Sequence, residues 1–269
     1  MRRLVKRRLR SFWEERKRTA RPMLDEYQID LSLRADTGKG GIQMNDINFL
    51  QRREAMVESH IARRGIRSPL VLDAMRTVPR EAFLPENLRE SAYHDEPLPI
   101  GEGQTISQPY IVALMMDALT LKGGERALEV GTGSGYAAAV LAQIASDVFT
   151  VERIGQLAEK AATLLSDLGY RNVHVRHADG TRGWVENEPY DAILVSAGGP
   201  EVPGSLKSQL NIGGRLVIPV GTDRQVQQLM RVTRISELRY KSEEIAKVRF
   251  VPLVGAEGWA DQGVRLRDK

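Results

Sequence analysis

Four short apolar or β-branched runs constrain this chain most: RALEV (126–130), DVFTVE (147–152), VHVRH (173–177) and DAILVS (191–196). Runs of this kind suit strands buried on both faces of a parallel sheet. Between the first three lie YAAAVLAQIA and IGQLAEKAATLLSDLG, both with helical period. Parallel strands need a crossover, and a right-handed helical crossover is the rule, so the alternation predicts a doubly wound α/β fold. After GGRLVIPVG, the stretches VQQLMRVTRI and KVRFVPLV read as antiparallel strands that finish the sheet. Helical spacing also precedes it, from about Phe49 through AMVESHIARRGI and then in PLVLDAMRTV.

Charge divides the chain differently. The net charge is +4, yet residues 1–21 hold ten Lys or Arg against Glu14 and Glu15, which is +8. The remaining residues therefore carry 4 − 8 = −4. Leu4, Val5, Leu9, Phe12 and Trp13 fall on one helical face, so this tail reads either as a solvated arm or as a basic amphipathic helix. Contact with nucleic acid or an anionic membrane is the function such a tail would serve. The glycine-rich LRADTGKGGIQMND, residues 33–46, reads as a linker, which places a basic extension at 1–46 and one domain at 47–269. No cysteine is present, which excludes disulfides, thiolate catalysis and zinc–sulfur sites. The tail has no uninterrupted apolar core of the secretory kind, and a cytoplasmic location is expected.

The chemistry concentrates in ALEVGTGSGY, residues 127–136. Gly131, Gly133 and Gly135 follow a strand and open a helix, so the backbone can approach a ligand closely and aim helix N–H groups at it. A dinucleotide loop, G-x-G-x-x-G, would require glycine where Tyr136 stands. Glu129, just before the loop, would repel a pyrophosphate and attract an ammonium or a sulfonium. That favours S-adenosylmethionine over a nicotinamide dinucleotide. Glu152 ends the next strand, where doubly wound folds place an acid that accepts from ribose hydroxyls. Asp179, in ADG after the third strand, is placed to accept from an adenine amino group.

One further stretch, GEGQTISQPY (101–110), combines two glycines and a proline with Thr105, Ser107 and Gln108. From the residues alone Ser107 has two readings. It caps the helix QPYIVALMMDAL, or it donates a hydrogen bond to a ligand of the glycine loop.

LPIGEGQTISQPY, LEVGTGSGY, VERI, ADG, YDAILVSAGGPEVP, GGRLVIPVG and VRFVPLV, in that order, resemble successive blocks of the protein-L-isoaspartate O-methyltransferase family. The resemblance runs from about Phe49 to Val254, and its T-I-S-x-P block is specific to that family. It implies a Rossmann-like methyltransferase fold and methyl transfer from S-adenosylmethionine to the free α-carboxyl of L-isoaspartyl residues in aged proteins. It also implies that Ser107 is the active-site serine, a positioning donor and not a nucleophile. Gln104, Thr105, Ile106, Ser107, Glu129, Gly131, Gly133, Gly135, Glu152, Arg153, Asp179, Gly180 and Gln227 are then expected at the cofactor. Ser107, Val248, Val251 and Pro252 are expected at the substrate, with the backbone of VRFVPLV lining a peptide groove.

Other chemistries fit less well. His60, His94, His174 and His177 have no metal-ligand spacing, and no G-x-S-x-G elbow is present. Two alternatives stay open on sequence: a relative that methylates one dedicated peptide, and a non-catalytic methyltransferase-like binding module.

Overall fold

The computed structural model describes residues 44–223 and 225–261. The basic tail, Phe12 and Trp13 included, lies outside the described residues.

Seven strands form one sheet: β3 (Arg126–Val130), β4 (Asp147–Glu152), β5 (Val173–His177), β6 (Tyr190–Val195), β7 (Leu210–Val220), β8 (Gln227–Arg234) and β9 (Tyr240–Val248). Their order is β5-β4-β3-β6-β7-β8-β9. The first five are parallel, and β8 and β9 add antiparallel strands at the far edge. This is the mostly parallel, doubly wound sheet that the alternating runs require. A two-stranded hairpin, β1 (Leu98–Gly101) and β2 (Gln104–Ile106), stands apart from it.

Helices α1 (Met44–Met56), α2 (Pro69–Thr77), α3 (Pro109–Leu119), α4 (Tyr136–Ala142), α5 (Gly155–Asp167) and α6 (Gly204–Ser208) complete the frame. Proline at the first position of α2 and α3 needs no N–H and starts each helix with its φ already set. Successive residues of β3 serve the two sides of the sheet. Ala127 joins a core with Met75, Val112, Met116 and Leu141, whereas Leu128 and Val130 join a second with Phe149, Ile193 and Ile218. Both cores exclude water, which is the main stabilisation of such a layered fold.

Two boundaries differ from the sequence reading. Helix α1 starts at Met44, inside the stretch read as linker. KVRFVPLV is not a single strand, because β9 ends at Val248. From Arg249 the chain turns to the segment after β6: Gly198 donates its N–H to the Val251 carbonyl and accepts from Leu253 N–H, each at 2.8 Å. A proline at 252 has no N–H for a sheet ladder, which fits this departure.

The chain leaves β3 in one direction toward β4 and β5 and later returns on its other side as β6 and β7. Ligands of open α/β sheets bind beyond the carboxyl ends of the strands at such a switch point.

Candidate active site

A cavity opens at that switch point. Val130 at the end of β3 and Gly131 after it, Val151 and Glu152 at the end of β4, and Ser196 and Ala197 after β6 line it together. The hairpin β1–β2 closes it from above, turning at Gly101-Glu102-Gly103 with φ of 95°, 51° and 67°. Gln104, Thr105, Ile106 and Ser107 thereby reach the cavity wall. The Ile100 side chain lies where a Cβ on Gly133 would meet it at 3.3 Å, so the hairpin rests on the glycine loop.

Glu152 is the polar centre of this wall. It is 7% exposed, and its two oxygens accept the N–H groups of Gly133 and Ile154, each at 2.9 Å. One carboxylate thus ties the glycine loop to the turn before α5. Each oxygen keeps a second lone pair for an incoming donor. Gly131, Gly133 and Gly135 have φ of 94°, 54° and 93°, a region that side-chain-bearing residues rarely adopt. Gly131 and Gly133 line the cavity; Gly135 instead starts α4 and faces Leu165. Gly180 lines it too, and a Cβ there would sit 2.5 Å from Val130 Cγ1. Arg153, largely exposed, completes the set of expected residues that reach the cavity.

Besides Gly135, three expected cofactor residues do not line it. Glu129 is wholly buried beneath the loop, where Thr150 Oγ1 donates to its Oε2 at 2.6 Å. The Thr150 hydroxyl meets that of Thr132 at 2.6 Å, while Glu129 Oε1 has no hydrogen-bond partner among the described residues. Burial, opposed by the Thr150 hydrogen bond, pushes the Glu129 carboxyl up to about 8. Glu129 therefore stands behind the cavity wall, separated from it by the hydroxyls of Thr150 and Thr132, and not beside a ligand as expected from sequence. Asp179 spends its carboxylate on Thr181 N and Oγ1 and on Ala256 N, at 2.7–2.9 Å. Burial would raise this carboxyl, but those bonds prevail and hold it below the usual range. Gln227 points inward, its Oε1 accepting from Phe250 N–H at 2.8 Å, and braces the segment after β9.

Ser107 occupies a second position of interest. The capping role does not hold: Gln108 is the N-cap of α3, and no side chain of that residue caps the helix. Asp95 does so from a distance, accepting from Tyr110 N–H at 3.1 Å and from Gln108 Nε2 at 2.7 Å. Arg64 holds the same carboxylate at 2.7 Å. Ser107 sits between this clamp and the buried Ile106, and its hydroxyl has no hydrogen-bond partner among the described residues.

A second cavity adjoins the first, walled by Gln108 and Ile111 on one side and by the stretch Lys247–Val251 on the other. The two share Thr105, Ser107, Ser196 and Val251. Val248 lines only the second; Pro252, expected at the substrate, lines only the first. Thr132, Ser196 and Lys247 lie outside the expected set, whereas Arg249 belongs to the VRFVPLV stretch expected at the groove. Ser196 was within reach of sequence reasoning, since it directly follows a parallel strand. The histidines stay apart, and no group of three or more His, Asp or Glu suited to a metal occurs among the described residues.

A family model for protein-L-isoaspartate(D-aspartate) O-methyltransferase matches residues 51–258. The chain belongs to this family. Its match begins in α1 and ends past the clamp on Gly198, so it contains both cavities. Among relatives, protein-L-isoaspartate O-methyltransferase 1 of Rhodopseudomonas palustris (strain HaA2) is 64% identical over 213 residues, 79% of this chain and 87% of its own. Protein-L-isoaspartate O-methyltransferase 2 of Marinobacter nauticus is 57% identical over 221 residues, 82% of this chain and 99% of its own. A solved protein-L-isoaspartate O-methyltransferase superposes with a TM-score of 0.69 at 31% identity, over 77% of this chain and 67% of the other. A putative member from Plasmodium falciparum, solved in complex with S-adenosyl-L-homocysteine, gives 0.64 at 28% identity, over 74% and 96%.

Proposed function

We propose that this chain moves a methyl group from S-adenosylmethionine to the free α-carboxylate of L-isoaspartyl residues in damaged proteins and peptides. The observation that carries this reading is the meeting of two cavities at Ser107: one built on the switch point of the sheet, the other a groove open to a polypeptide. The cofactor, when bound, supplies a methyl group made electrophilic by its sulfonium.

The residues present fit that cofactor. Glu152 keeps one lone pair on each oxygen for a pair of ribose hydroxyls, and its backbone partners already hold it in place. Gly180 leaves room where any side chain would collide with Val130.

An isoaspartyl carboxylate is ionised at neutral pH, its ordinary pKa being near 4. Attack on a methyl group therefore requires no base. Alignment within about 3–3.5 Å and removal of water are what the protein must supply. Ser107, with a free hydroxyl at the junction, donates to one carboxylate oxygen and leaves the other to attack. Thr105 and Val251 flank the same junction. No step calls for a covalent enzyme intermediate.

The product identifies the reaction. A peptide with one isoaspartate gains the mass of one methyl group, fragmentation places it on that residue, and mild base removes it as methanol. A methyl group on any other residue would contradict the reading.

A further inference from the structure

We propose that Lys247 and Arg249 make the enzyme select isoaspartyl sites flanked by acidic residues. The proposal rests on the methyl-transfer reading and names the class of substrate it favours.

Along the last stretch of β9 and just past it, exposure alternates: Lys247 and Arg249 are exposed, Val248 and Phe250 buried. A period of two puts both cations on one side of an extended chain, about 7 Å apart. Both line the groove that meets the first cavity at Ser107. Neither forms an ion pair among the described residues, and no carboxylate is among the groove's lining residues. Asp223, near the rim in sequence, turns Oδ1 back to the N–H groups of Gln225 and Val226. Glu243, further back on β9, is bridged by Arg231 and Lys241.

The groove is thus a positive strip on a body whose net charge beyond residue 21 is −4. β9 is the outermost strand of the sheet, and among the described residues no further strand pairs with its outer edge. A peptide beside it would present alternate side chains to Lys247 and Arg249, with its isoaspartyl carboxylate directed to Ser107. Acidic flanks then meet the two cations, whereas basic flanks are repelled.

Steady-state kinetics on peptides that differ only in flanking residues test this. One peptide carries glutamates next to the isoaspartate, one alanines and one lysines, each with an aspartyl control. Each acidic flank should lower KM about two- to fivefold relative to alanine, as exposed ion pairs do, with kcat little changed. The contrast should shrink as ionic strength rises. K247A and R249A should each reduce it, and K247E/R249E should invert the preference; melting curves would verify that these surface variants fold. Equal KM for all three flanks, or a preference that survives charge reversal, overturns the selection while leaving methyl transfer intact. Absence of methylation on every isoaspartyl peptide removes both.

Discussion

Glu152 and Gly133 are joined in the wall of the first cavity: the carboxylate of Glu152, a residue only 7% exposed, accepts the loop N–H of Gly133 at 2.9 Å. This bond makes the acid part of the glycine loop before any ligand arrives. Glu152→Ala should weaken S-adenosylmethionine binding by about 1.5–3 kcal/mol, the range for hydrogen bonds to a charged group. Titration calorimetry reads this directly, and unchanged affinity would remove Glu152 from the ribose position.

Much of this arrangement was legible in sequence, because it follows from strand ends. RALEV and DVFTVE place Val130 and Glu152 at the carboxyl edge of adjacent parallel strands, and the glycines need no partner to declare a tight turn. What was not legible depends on side-chain direction and on distant partners. Glu129 directly precedes Val130, yet it points into the protein toward Thr150. Asp179 and Gln227 look equally free in sequence, but Ala256 and Phe250, brought back by the chain after β9, occupy them. Ser107 precedes a helix as a cap would, and the capping carboxylate comes instead from Asp95.

Ser107→Ala should lower turnover strongly while S-adenosylmethionine affinity stays within a few fold. Since the hydroxyl has no hydrogen-bond partner among the described residues, its removal should leave the melting temperature nearly unchanged. A variant that melts earlier yet turns over normally would make the residue structural.

Asp95 tests the clamp behind Ser107. Its carboxylate joins Arg64, Gln108 and the first turn of α3, so Asp95→Ala should cost about 1–3 kcal/mol of stability. Turnover per folded molecule should fall as well, because Ser107 loses its anchor. Chemical denaturation together with rates corrected for folded fraction checks both; a stable, fully active variant contradicts the clamp.

Glu129 makes stability depend on pH without any ligand. Its folded pKa, about 8, lies above the ordinary carboxylate value, so the folded state keeps a proton that the unfolded chain releases near pH 4. The contribution is complete below that lower value, is lost progressively as pH rises toward 8, and levels off above it. Glu129→Gln mimics the protonated group, so its melting temperature should fall less than that of the parent between pH 5 and pH 9. Parallel melting profiles would show that Glu129 is ionised when buried.

Among the described residues, every one that lines a cavity lies beyond residue 96, so the basic tail is expected to be separable from catalysis. Removing residues 1–40 should leave kcat and KM for short peptides unchanged. The same truncation should abolish retention on heparin or anionic vesicles at low salt, a binding that weakens steeply as salt rises. A raised KM for S-adenosylmethionine after truncation would instead make the tail part of the site.

The most direct measurement is the initial rate of labelled methyl transfer from S-adenosylmethionine to two peptides of one sequence, identical except for isoaspartate or aspartate at a single position. Base-labile label is expected on the isoaspartyl peptide alone, because only that linkage directs a free α-carboxylate to Ser107 while the chain runs along the groove. Equal labelling of both peptides, or labelling of neither, would contradict it.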